Sequence, residues 1–157
     1  MTFLNGSSFF PVMASLYTEI EINAPKAIVW QVLITKNKWK YWNTFLFDCD
    51  PLQPLELGND VFLSRRRLLG DEETEFQAKV TFMKPGVCLK WESSFPGLRY
   101  QSVFELQEIG VKRTKYIHKD NFSGFWQRVL LPFIREDELQ GMRRMARELK
   151  RYSEVNF

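Results

Sequence analysis

The chain has 157 residues, with 22 Lys and Arg against 19 Asp and Glu, one His and two Cys. That length suits one compact domain able to bury roughly 70% of its unfolded surface, and 45% hydrophobic with 26% charged residues excludes a disordered tail. Two cysteines exclude a disulfide framework, a net charge of +3 is too small to mark a nucleic-acid binder, and the longest apolar runs fall far below the ~20 residues of a membrane helix.

Residues 1–14 are apolar, but the first basic residue is Lys26, so the basic start of a secretory signal is missing. The segment reads as a lead-in that docks Phe9 and Phe10 on the body, residues 15–157 as a single domain, and the chain as cytoplasmic. From 15 to 23, Thr18, Ile20 and Ile22 alternate with Glu19 and Glu21, a strand with one wet face. Asn23-Ala24-Pro25 marks a helix start, with Asn23 as cap and Pro25 in the first turn. A second short helix is predicted over 38–45, bringing Trp39, Trp42 and Phe45 together.

Strands are predicted over 60–67, 74–84, 87–95, 99–108 and 111–120. Their short separators carry turn residues, so they form an antiparallel meander. Phe76, Ala78 and Val80 share one face, as do Leu89, Trp91 and Ser93, and then Tyr100, Ser102 and Phe104. Residues 125–133 read as a helix that breaks at Pro132. From 134 to 153 a longer helix carries Leu139, Met142, Met145, Ala146 and Leu149 on one stripe, with acidic residues early and basic residues late.

The stretches EIEINAPKAIVWQVLITKNKWKYWN, LELGNDVFL and YIHKDNFSGFW carry a family resemblance. From Leu16 to Ser153 the chain resembles the START-like superfamily, in its polyketide cyclase/dehydrase and lipid-transport branch. That resemblance implies an α+β helix-grip fold: a curved antiparallel sheet around a long C-terminal helix, with two short helices after the first strand. It also implies a deep apolar cavity between sheet and helix for a small hydrophobic ligand such as a lipid, polyketide or isoprenoid. The aromatic faces are equally the material of an ordinary packed core.

The expected lining is Trp42, Phe76, Ala78, Val80, Leu89, Trp91, Ser93, Tyr100, Ser102, Phe104, Tyr116, His118, Met142 and Met145. His118 is the lone histidine, with Asp120 two residues on along the same face, and Tyr116 beside it; these are the candidates for proton chemistry. Both are more simply read as polar lining or core. Cys49 and Cys88 lack an activating cationic neighbour and read as structural, and no zinc spacing or phosphate loop exists, so no metal or cofactor is expected. Arg65-Arg66-Arg67, with Lys36, Lys38 and Lys40, reads as a solvated surface, with acidic headgroups as the alternative contact. Because no inward carboxylate pair is visible, a binding or carrier protein is favoured over a polyketide cyclase, aromatase or dehydrase type of enzyme. A protein-interaction module is the third reading.

Overall fold

The computed structural model describes residues 9–156. Seven strands form one antiparallel sheet: β1 (Ala14–Ile22), β2 (Leu46–Asp48), β3 (Asp60–Arg65), β4 (Thr74–Lys84), β5 (Cys88–Phe95), β6 (Leu98–Gly110) and β7 (Arg113–Ser123). They lie in the order β1-β7-β6-β5-β4-β3-β2, a meander that β1 extends by pairing with β7. Helix α1 (Lys26–Ile34) and a 3₁₀ helix, Lys36–Tyr41, connect β1 to β2. The long helix α2 (Gln127–Val155) packs its buried stripe on the inner face of the sheet. A register shift between Val80 and Phe82 bends the strands around it. This is the helix-grip arrangement.

Several local expectations are corrected. Pro25, not Asn23, stands at the N-cap of α1; the Asn23 backbone N–H instead donates to Glu154 at 2.7 Å, tying α1 to the last turn of α2. The second helix is a 3₁₀ turn that ends before Trp42, because the Asn43 side chain redirects the backbone into a turn. Its side-chain oxygen accepts the N–H groups of Phe45 and Leu46, both at 2.9 Å, and the short strand β2 follows directly. Helix α2 runs through Pro132 without a break. Proline there removes a single hydrogen bond, to the carbonyl of Arg128, and both residues are exposed to water that can take its place. Of the lead-in, residues 1–8 lie outside the described residues; Phe10 packs over the Arg99 guanidinium at 5.1 Å, while Phe9 is exposed.

Polar side chains seat α2. Arg144 donates to the carbonyls of Thr44, Arg66 and Arg67 at 2.7–3.1 Å, and Glu148 accepts both the backbone N–H and the hydroxyl of Thr44. About a turn before Arg144 lies Gly141, buried in the helix interior. A Cβ there would fall into the ring of Phe45, which is itself 1% exposed and cannot yield. Glycine is tolerated in this helix because the backbone must come that close. Gly141→Ala is therefore expected to destabilise by about 1–3 kcal/mol through overpacking, whereas an exposed helical glycine would gain up to about 1 kcal/mol. Denaturant melts of the two proteins decide the sign, and a more stable variant would refute the close approach.

Candidate functional site

Period-two alternation delivers the inner face. On β7 it presents Thr114, Tyr116, His118, Asp120 and Phe122; on β6, Tyr100, Ser102 and Phe104; on β5, Leu89, Trp91 and Ser93; on β4, Phe76, Ala78 and Val80. Met142 and Met145 face them from α2, and no side chain of this set is more than 8% exposed. The rings touch in series: Trp91 to Phe104 at 4.8 Å, Phe104 to His118 at 4.3 Å, His118 to Tyr116 at 6.3 Å. Trp42 is also buried but stands apart from them. It stacks on Tyr152 near the end of α2, about 20 Å along the helix from Glu138, where an open groove of about 310 Å³ is lined by Tyr41, Trp42 and Glu148.

A cluster of charge sits within this apolar wall. His118 Nε2 lies 3.2 Å from Asp120 Oδ1, which also accepts the Ser102 hydroxyl at 2.9 Å. Arg65, at the end of β3, is buried; its Nη2 donates to the Tyr100 hydroxyl at 2.8 Å, and its guanidinium lies 4.5 Å from the Phe76 ring centre and 4.9 Å from that of Tyr100. Glu138 reaches in from α2. Its Oε1 accepts from Arg67 Nε at 2.8 Å, and its Oε2 lies 3.6 Å from Arg65 Nε. The carboxyls of Glu138 and Asp120 lie near enough to each other for one to hold a proton against the other.

The two carboxyls are driven apart in acidity. Burial raises Glu138 to about 7, against the pull of Arg65, and the neighbouring Asp120 charge adds to the rise. Burial also acts on Asp120, but His118, the Glu138 proton and Arg65 hold it below the ordinary carboxylate range. Glu138 is thus the proton donor of the pair and Asp120 the anion. With Asp120 ionised, the His118 Nε2–H donates to it, and Nδ1 on the other side of the ring has no partner among the described residues. Burial, and then the Asp120 charge, raise Tyr116 well above its usual value, so its hydroxyl stays protonated. Five buried atoms in and around this cluster have no hydrogen-bond partner among the described residues: Trp91 Nε1, Tyr116 Oη, His118 Nδ1, Asp120 Oδ2 and Arg65 Nε. Interior polar atoms are ordinarily paired, and each unpaired one costs about 1–3 kcal/mol.

Ser93 is spent on the backbone, its hydroxyl donating to the Gln77 carbonyl at 2.8 Å. The basic surface is corrected in two places. Arg66 points outward as alternation requires, but Arg65 and Arg67 turn inward to Glu138, and Lys36 is buried against Asp48 at 2.6 Å. The inward carboxylate pair that seemed missing is supplied by Asp120 and Glu138. Cys88 is buried, and burial pushes its thiol up to about 11, which makes it unreactive. The sequence reading missed Arg65 and Glu138. Glu138 carried a signal, since it sits four, seven and eleven residues before Met142, Met145 and Leu149 on the buried stripe.

No protein-family model matches the chain, and no curated protein matches it by sequence. Solved structures do. A Nitrosomonas europaea protein aligns with a TM-score of 0.63 at 16% identity, covering 88% of this chain and 95% of its own. Norcoclaurine synthase from Thalictrum flavum gives 0.64 at 13% identity, over 88% and 92%. A polyketide-cyclase-like protein of Corynebacterium glutamicum gives 0.57 at 16%, over 90% and 92%. The fold is therefore the helix grip that these chains share.

The carboxyl pair makes a pH prediction. Glu138 has an ordinary value of 4.5 and a folded value of about 7. The folded protein therefore keeps a proton that the unfolded chain releases. Its contribution to stability is complete below about pH 4.5 and is lost as the pH rises through about 7. Glu138→Gln, which places an amide where the protonated carboxyl stands, is expected to remove that slope. Denaturant melts of both proteins across this window measure it, and equal slopes would show that Glu138 does not hold the proton.

Proposed function

We propose that the protein binds a small, largely apolar molecule between the sheet and α2, as a carrier that shields it from water. The observation that supports this reading is the set of unpartnered polar atoms at Trp91, Tyr116 and His118 within a wall of rings and aliphatic side chains. Small-molecule sites are typically apolar surfaces with a few convergent polar groups. Trp91 Nε1–H and the Tyr116 hydroxyl can donate, and His118 Nδ1 offers a third hydrogen-bonding position. A ligand hydroxyl or carbonyl satisfies them, while a lipid-, polyketide- or isoprenoid-like body meets Phe104, Leu89 and the two methionines. We place the protein in the cytoplasm, a reading consistent with its two unpaired thiols. No helix among the described residues is long and apolar enough to cross a membrane.

One observation favours a second reading, an enzyme of the polyketide cyclase or dehydrase kind. A protonated carboxyl beside an ionised one, with an imidazole oriented by the latter, is a pattern that moves protons. Titration with an apolar fluorescent probe separates the readings. One probe per folded protein is expected, with tryptophan emission quenched chiefly at Trp91. His118→Gln is expected to change its affinity by about 1 kcal/mol, the worth of one hydrogen bond. If no probe binds the folded protein, both readings fail. If His118→Gln abolishes a turnover while binding persists, the enzyme reading replaces the carrier.

A further inference from the structure

The β5–β6 turn, the end of β7 and the first turns of α2 meet at one end of the sheet, and what they present to water is apolar. Phe125 is 73% and Phe133 81% exposed, and Phe95, Trp126, Val129 and Leu130 are exposed beside them. The patch is continuous. The Phe125 and Trp126 rings are 5.3 Å apart, and the Trp126 backbone N–H donates to the Gly97 carbonyl at 3.0 Å. A Cβ on Gly97 would fall inside the Trp126 indole, so only glycine at this turn seats the ring.

Helical geometry turns Val129, Leu130 and Phe133 away from the buried stripe of Leu131, Glu138 and Met142, so they contribute nothing to the core. The patch is a projecting end of turn and helix residues. Such a shape suits a soft apolar surface better than a folded partner's ridge. The charges beside it are informative. Arg128 lies within the first turn of α2 and Arg135 just beyond Phe133; both are exposed and enter no ion pair among the described residues. Arg99, on the neighbouring strand, is paired with Glu92 yet still 45% exposed. The carboxylates of Glu136 and Asp137 begin only one turn past Phe133.

We propose that this end docks on an anionic lipid surface, with Phe125, Trp126, Leu130 and Phe133 in the acyl boundary and Arg128, Arg135 and Arg99 on headgroup phosphates. Aromatic rings with a polar edge favour that boundary, and flanking arginines supply the attraction to anionic lipid. The inference stands apart from the interior ligand, although the same end of the sheet carries Arg65, Tyr100 and Phe122 and so lies nearest the buried cluster.

Co-sedimentation of the full chain with vesicles tests it, using phosphatidylcholine alone and mixed with phosphatidylglycerol. Binding is expected to the mixed vesicles and to weaken with salt. Trp126 is the one exposed tryptophan among the described residues, so brominated lipid should quench its emission. Changing Phe125 and Phe133 together to Ser should lower partitioning about tenfold or more, and Arg128→Glu should weaken it with the rings intact. Both rings are exposed, and melting curves verify that the variants fold. Failure to bind the mixed vesicles, or binding that the double variant leaves unchanged, would overturn the proposal. So would light scattering that shows a dimer dispersed by the same double variant, since a second copy would then be the occupant. Probe titrations of these variants without vesicles report on the interior site separately.

Discussion

A guanidinium and two carboxyls meet inside a body otherwise built of rings and aliphatic chains, and the seating of α2 depends on that meeting. Arg65 comes from β3, Asp120 from β7 and Glu138 from α2, so three elements distant in sequence must arrive together. Burying each ion costs several kcal/mol, and removing one partner of a buried pair typically costs about 3–5 kcal/mol. A slip or rotation of α2 would leave Arg65 and Asp120 without their counterpart. The apolar stripe of Met142, Met145 and Leu149 says which face of the helix turns inward; the charges say at which height it stops.

The close approach at Gly141 and the charge cluster are one construction. Phe45 fills the space that the glycine opens, and its ring lies 5.8 Å from the Arg65 guanidinium and 6.5 Å from the His118 ring. That single phenyl group covers the cation on one side and the imidazole on the other, holding water away from both. Low local polarity is what keeps a proton on Glu138 while Asp120, better surrounded by donors, stays ionised. The unpartnered atoms of Trp91, Tyr116 and His118 belong to the series of ring contacts that runs through Phe104. A polar group on an otherwise apolar ligand is the natural complement to them.

The two ends of the molecule differ in kind. Where α1 meets the last turn of α2, Glu154 accepts from both the Asn23 backbone and Lys150, and Trp42 stacks on Tyr152 beside the open groove. At the opposite end the β5–β6 turn and the start of α2 leave aromatic rings in water. A protein that exchanges an apolar cargo needs one stable end and one that meets the source of the cargo, and this division of labour is consistent with both proposals.

Alternation of apolar and polar residues specified the meander strand by strand, because a sheet with one buried face must repeat every two residues. The stripe from Met142 to Leu149 likewise specified the terminal helix, and period two put Tyr116, His118 and Asp120 on one face. Local pattern was silent where a contact partner is distant. Asn43 halted the short helix through its own side-chain bonds, and Pro132 was accommodated because the carbonyl it orphans faces water. Arg65 looked like a surface charge because its run is charged, and only the inward turn of β3 toward α2 made it the core's cation. The pairing of Asp120 with Glu138 has no counterpart in spacing or composition. It exists because a strand and a helix from different parts of the chain are pressed together in a space that excludes water, and such proximity is a property of the tertiary structure alone.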